Sequence, residues 1–233
     1  VTGEAPPADA GPPPVPPAGD TGHPARVAIA LPNTPDFVVS FLAALRAGLV
    51  AVPVNHGFTG PELRHVLADS GTTVLICTDR VRDLVADAGE LPALAAVHAA
   101  PPTADAGDGV PATGAGGGEF PRHGGDDLAT LLYTSGTEGR PKGAMLSHRA
   151  LAANHAQVDR ISPPVVGPDD TVLLALPLFH AYGLNSGLGA VVHHGATGLL
   201  AEDVASPGAA PLEPAVAARF TEATGRAVHV GYA

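Results

Sequence analysis

Val27-Ala28-Ile29-Ala30-Leu31-Pro32-Asn33-Thr34-Pro35-Asp36 sets a strand and a helix start side by side within ten residues. The first five are apolar without alternation, as in a strand buried on both faces. Thr34 stands where a helix cap is expected and Pro35 in the first turn, where its missing N–H is not needed; Asp36 follows near the positive end of the helix dipole. Gly48 supplies the stop, and Val50-Ala51-Val52-Pro53-Val54 reads as the next strand. Thr59-Gly60-Pro61-Glu62 is a capping box opening a helix that ends near Gly71, and a third strand spans Thr73 to Thr78. Strand and helix alternate at short spacing, which predicts a parallel sheet covered by helices, an α/β fold.

Outward from that core the composition bounds the rest. The chain has 233 residues, of which 45% are hydrophobic, enough to bury a real core. Twelve basic against twenty-three acidic residues leave a net charge of -11, which argues against a nucleic-acid partner or an anionic membrane surface. Phosphate, if bound, has to be held locally. No integral membrane segment and no secretory signal are legible, so the expected location is cytoplasmic; oligomeric state is not indicated. Cys77 lies in the run Val74-Leu75-Ile76-Cys77 and reads as a core residue. Residues 1–25, with Pro12-Pro13-Pro14-Val15-Pro16-Pro17, read as a disordered proline-rich segment ahead of a domain spanning 26–233. A glycine-rich loop or linker is expected over 99–125; its Gly114 to Gly118 run is not a dinucleotide fingerprint, because Glu119 takes the last glycine's place.

The chemistry concentrates farther on. Asp126-Asp127-Leu128-Ala129-Thr130-Leu131-Leu132-Tyr133 is a short apolar strand that runs into Thr134-Ser135-Gly136-Thr137-Glu138-Gly139-Arg140-Pro141-Lys142-Gly143. Successive N–H groups in such a loop can converge on an anion, with hydroxyls adding donors and Lys142 a full positive charge. The common ATPase loop is excluded at two positions, since Pro141 stands where glycine is needed and Gly143 where a hydroxyl is needed. Lys142 is the single lysine beside eleven arginines. Arginine does not replace a compact ammonium reaching for one phosphate oxygen.

The eleven-residue run from Tyr133 to Gly143 resembles the signature loop of the adenylate-forming (AMP-binding) superfamily, departing from its usual form only at Glu138. The resemblance continues in Leu146-Ser147-His148-Arg149, where Ser147 caps a helix, and in Leu176-Pro177-Leu178-Phe179-His180-Ala181-Tyr182-Gly183-Leu184, which looks like the family's acyl-pocket motif. Gly208-Ala209-Ala210-Pro211 resembles its adenine-binding turn, and Gly231-Tyr232 the opening of a Gly-Tyr-Gly-x-Thr-Glu motif. The fold implied is the N-terminal domain of an acyl-CoA synthetase, present in part. The activity implied is activation of a carboxylic acid, by the form of the acyl motif a fatty acid, first to an acyl-adenylate with ATP and then to a thioester with coenzyme A.

By this resemblance Thr134, Ser135, Gly136, Thr137, Gly139 and Lys142 hold the ATP phosphates. Gly208, Ala209, Ala210, Pro211, Gly231 and Tyr232 frame adenine, and His180, Tyr182 and Gly183 line the acyl pocket, with Lys142 and His180 the catalytic pair. Gly187, Gly189 and Ala190 are small enough to leave room for an acyl chain. The family's magnesium-binding Thr-Glu pair and its C-terminal lid domain are not in the sequence, and the stretch 198–207 is shorter than the family's. No metal is therefore assigned, and a non-catalytic remnant binding nucleotide or a protein partner is the alternative to a working ligase. His193-His194 carries no local metal-ligand spacing. A serine hydrolase using Ser135 and His180 lacks the G-x-S-x-G elbow.

Overall fold

The apolar run at Val27 forms strand β1 (Arg26–Ala30), buried at every position. The computed structural model describes residues 24–87, 89–99, 123–135 and 140–201, with a few single positions between 215 and 225. After β1 come α1 (Pro35–Arg46), β2 (Val50–Pro53), α2 (Gly60–Asp69), β3 (Val74–Cys77), α3 (Asp79–Ala86) and β4 (Ala96–Ala99). Then follow β5 (Leu128–Ser135), β6 (Pro141–Ser147), α4 (His148–Val158), β7 (Thr171–Leu174), a π-helical segment (Tyr182–Gly189), α5 (Ala190–His194) and β8 (Thr197–Leu200). The expected tail at 1–23 and most of the expected linker, 100–122, lie outside the described residues, as do 202–214.

Six strands make one sheet in the order β4-β3-β1-β2-β5-β6. The pairs β1–β2, β1–β3, β2–β5 and β3–β4 are parallel, as the strand–helix alternation predicts. Strand β6 is the addition: it turns back antiparallel along β5 from Ser135↔Pro141 to Leu128↔Ser147. The sequence reading puts Pro141 to Gly143 in a loop; proline and glycine are poor strand formers. Their position on a sheet edge, with Pro141 as first residue, is where a strand tolerates them. Strands β7 and β8 pair separately and in parallel.

Period-two alternation divides the core into two layers. Ala28, Ala30, Val50, Val52, Leu75 and Cys77 face α2 and α3 through Leu63, Val66, Leu67, Val81 and Val85. Val27, Ile29, Leu31 and Ala51 face the other way, onto Phe37, Phe41 and Ala44 of α1 and onto Leu174, Leu178, Leu184 and Leu188. Burial on both faces is why β1 and β2 carry no polar alternation. Cys77 is fully buried, and burial pushes its thiol up to about 11, as a packing residue requires.

The local signals act as read, with one exception. Gly48 leaves α1 at a φ of 77°, a conformation that favours glycine. Glu62 accepts from the Thr59 backbone N–H at 2.8 Å and from its hydroxyl at 2.7 Å, closing the capping box of α2. Thr34 occupies the cap of α1 with extended backbone, but its side chain makes no capping bond.

Phe37 is fully buried and stacks on Phe41 at 6.3 Å. Phe37→Ala is expected to destabilise the domain by about 3–5 kcal/mol, read as a lowered urea midpoint; an unchanged midpoint would show that α1 does not cover the sheet. The capping bonds from Thr59, backbone first, hold the Glu62 carboxyl below its ordinary range. Its contribution is therefore complete above the unfolded-state value and lost as pH falls through the lowered folded value. Glu62→Gln should flatten the acid limb of stability against pH, and an unaltered limb would contradict that linkage.

Candidate active site on the β5–β6 hairpin

The signature run forms a hairpin. Tyr133 pairs with Gly143, Thr134 with Lys142 and Ser135 with Pro141, so the two flanks of the glycine-rich stretch are paired strands. Directly opposed residues present their side chains on the same face. Thr134 and Lys142 thus stand together, both exposed, at the base of the tip. Two residues earlier, Leu132 packs with Leu178 and Leu184, so Thr134 continues the face covered by α1 and the π-helical segment. Gly136, Thr137 and Gly139 lie outside the described residues, as do the adenine-turn residues Gly208, Ala209, Ala210 and Pro211 and the pair Gly231 and Tyr232; Ser135 is described in its backbone.

Tyr133 points to the opposite face and anchors the hairpin. Its hydroxyl donates to Asp69 Oδ2 at 2.6 Å, and burial together with this bond pushes its pKa up, so the phenol stays protonated. The ring lies over Gly143, where a Cβ would come within 3.0 Å of Tyr133 Cζ. His65 Nε2 lies 2.9 Å from the Pro141 carbonyl oxygen. Helix α2 therefore grips both strands of the hairpin, through Asp69 on β5 and His65 on β6. The carboxylate of Asp69 is engaged in this grip.

The acyl-motif segment is positioned by Asn33, just beyond the carboxyl end of β1. The Asn33 Nδ2 donates to the carbonyls of Leu174 at 3.2 Å and Leu176 at 2.9 Å, and its Oδ1 accepts from the Leu178 N–H at 2.9 Å. Phe179 meets His56, beyond the end of β2, edge to face at 6.0 Å. The segment is thereby fixed at the carboxyl end of the parallel strands, the end at which β5 also finishes and where α/β sheets bind ligands. His180 and Tyr182 are exposed. The Tyr182 N–H donates to His180 Nδ1 at 3.3 Å, which in a neutral ring leaves the proton on Nε2.

Glycine in this segment serves packing. A Cβ on Gly183 would stand 2.4 Å from the Pro177 carbonyl oxygen, so the chain can only double back there on glycine. The sequence reading of Gly187, Gly189 and Ala190 as space for an acyl chain is corrected. A Cβ on Gly189 would meet His155 Nε2 at 2.7 Å and one on Gly187 would meet Leu174 Cδ2 at 3.1 Å, while Ala190 is buried. That space is already filled by protein. Sequence reasoning also missed Asn33, His65 and Asp69, whose partners lie 64 to 145 residues away and leave no local mark.

Asn33→Ala removes three hydrogen bonds and leaves the buried Leu178 N–H without this acceptor, and should cost roughly 2–4 kcal/mol in urea unfolding. Asn33→Asp, which retains the acceptor for Leu178 but loses the donor, should destabilise as well. Wild-type stability in both would show that the clamp does not hold the segment.

Comparison with known proteins agrees with this geometry. Residues 20–207 match the family model described as AMP-binding enzyme. A feruloyl-CoA synthase from Amycolatopsis sp is 41% identical over 161 residues, covering 68% of this chain and 30% of that protein. The 4-coumarate–CoA ligase 5 of Oryza sativa subsp. japonica is 37% identical over 166 residues, covering 70% and 31%. The crystal structure of ATP-bound MatB from Rhodopseudomonas palustris superposes with a TM-score of 0.66 at 28% identity, over 88% of this chain and 38% of that one. The chain thus spans about a third of the length of the curated relatives it matches. With the family model matched over most of the sequence and the signature run folded as a hairpin at the ligand-binding end of the sheet, the chain belongs to the AMP-binding enzyme family.

Proposed function

We propose that this chain is the N-terminal, phosphate-handling part of an ATP-dependent carboxylate–CoA ligase. A carboxylate oxygen attacks the α-phosphorus of ATP; the new P–O bond forms as the bond to the β-phosphate oxygen breaks, and pyrophosphate leaves with the displaced electron pair. The sulfur of coenzyme A then attacks the acyl carbon of the mixed anhydride, and AMP leaves as the thiol proton is lost. The first step builds charge on pyrophosphate, and preorganised donors with a cation stabilise such charge. In this reading Thr134, Ser135, Gly136, Thr137, Gly139 and Lys142 hold the β- and γ-phosphates. Gly208, Ala209, Ala210, Pro211, Gly231 and Tyr232 hold adenine, and His180, Tyr182 and Gly183 border the reacting carboxylate. Magnesium in such enzymes neutralises triphosphate charge, and the described residues around Thr134 and Lys142 supply no carboxylate set for it.

The observation that carries the proposal is the opposition of Thr134 and Lys142 at the base of the glycine-rich tip. A hydroxyl and the chain's single ammonium share one exposed face there. For the acid, the names of the relatives favour an arylpropenoic substrate, of the ferulate or coumarate kind, over the fatty acid expected from the sequence. No described helix is long and apolar enough to cross a membrane, and we place the reaction in the cytoplasm.

ATP–pyrophosphate exchange with ferulate, 4-coumarate, benzoate and octanoate is the test. The arylpropenoates should support exchange best, and Lys142→Ala should lower it by about 10²–10³ without loss of fold. Exchange undiminished in that variant would remove the assigned role of Lys142, and a preference for octanoate would restore the fatty-acid reading.

A further inference from the structure

We propose that Asp159, His193 and His194 form a binding site for a divalent transition-metal ion of the zinc class, bracing the end of α4 against α5. His193 Nε2 lies 3.0 Å from Asp159 Oδ2, and His194 Nε2 lies 3.5 Å from Asp159 Oδ1. One ligand atom from each residue falls within 4.8 Å of the other two. Bonds of about 2.0–2.2 Å in a tetrahedral site put neighbouring ligand atoms roughly 3.3–3.5 Å apart; the two histidine–aspartate distances stand near that spacing, and the set has to draw in from as much as 4.8 Å at its widest to admit an ion. Two imidazole nitrogens with one carboxylate suit zinc, nickel or copper rather than magnesium or calcium.

The surroundings favour a cation. Asp159 caps the C-terminal end of α4, where the carbonyls leave partial negative charge. His155, buried one turn earlier on α4, stacks on the His193 ring at 5.0 Å and 17°. Its own Nε2 lies 3.2 Å from Asn185 Oδ1, and Asn185 Nδ2 donates to Asn154 Oδ1 at 3.1 Å. The His193 ring is thus oriented by stacking on a neighbour that is itself held in place. Asp159 and His193 are 41% and 39% exposed, which leaves an entry path and an open position for water.

Titrating the full chain with Zn²⁺ against a chromophoric chelator tests the proposal. One equivalent should bind saturably, weakened at least tenfold in Asp159→Asn and lost in the His193→Ala/His194→Ala double variant. Thermal unfolding of the unmodified chain should shift upward with zinc, and that of the double variant should not. Uptake that is the same in the double variant, showing that the ion sits on other histidines, would overturn the site; so would the absence of a saturable equivalent. Should the variants fail to fold, Co²⁺ added to the unmodified chain decides: intense visible absorption of tetrahedral cobalt supports the site, and the weak spectrum of hydrated octahedral cobalt refutes it.

Discussion

Strand β1 is apolar on both faces, and a sheet built around it has to be covered twice. Helices α2 and α3 cover one face from nearby in the sequence. The other face is covered in part by α1, and the remainder by Leu174, Leu178, Leu184 and Leu188, which arrive from well over a hundred residues away. That second cover brings the His180 segment to the sheet. Burial of these leucines supplies the driving force, while direction comes from Asn33, whose three bonds fix where the segment crosses the carboxyl end of β1. Core packing and site geometry are therefore one arrangement.

The hairpin follows from the same sheet. Strand β5 enters the core through Leu131 and Leu132, each facing a different layer, and runs on to the exposed Thr134. Pairing with β6 sets Lys142 across from Thr134, and alternation sends Tyr133 to the other face, where α2 holds it. An anion site on a hairpin needs its base rigid if the tip is to hold donors in place. Tyr133, Asp69, His65 and Gly143 provide that rigidity on the face away from the donors, leaving Thr134 and Lys142 exposed.

How much of this was legible depended on how far apart the partners lie. The elements from β1 to β3 were readable because each carries its own boundary: Thr34 with Pro35, Gly48, and the Thr59–Glu62 box are local chemistry. Strand β6 was not, because Pro141 and Gly143 oppose strand formation and become extended only through pairing with β5. The signature run revealed its family but not that it is a hairpin. In the acyl motif, Gly183 was named for its place in the pattern; its physical role is to let the backbone approach Pro177. Gly187 and Gly189 were read as empty space, which only the positions of Leu174 and His155 could correct. His193-His194 looked inert in sequence because the third member, Asp159, is 34 residues away.

Because the chain has one lysine, its central claim has a built-in reporter. In protein labelled with ¹⁵N-lysine, NMR observes the side chain of Lys142 and no other lysine. If the β5–β6 hairpin holds the triphosphate, the Lys142 Nζ resonance moves saturably as ATP is added and moves less with AMP, which lacks the β- and γ-phosphates. A resonance that stays in place throughout the ATP titration, or that responds equally to AMP, would contradict the account.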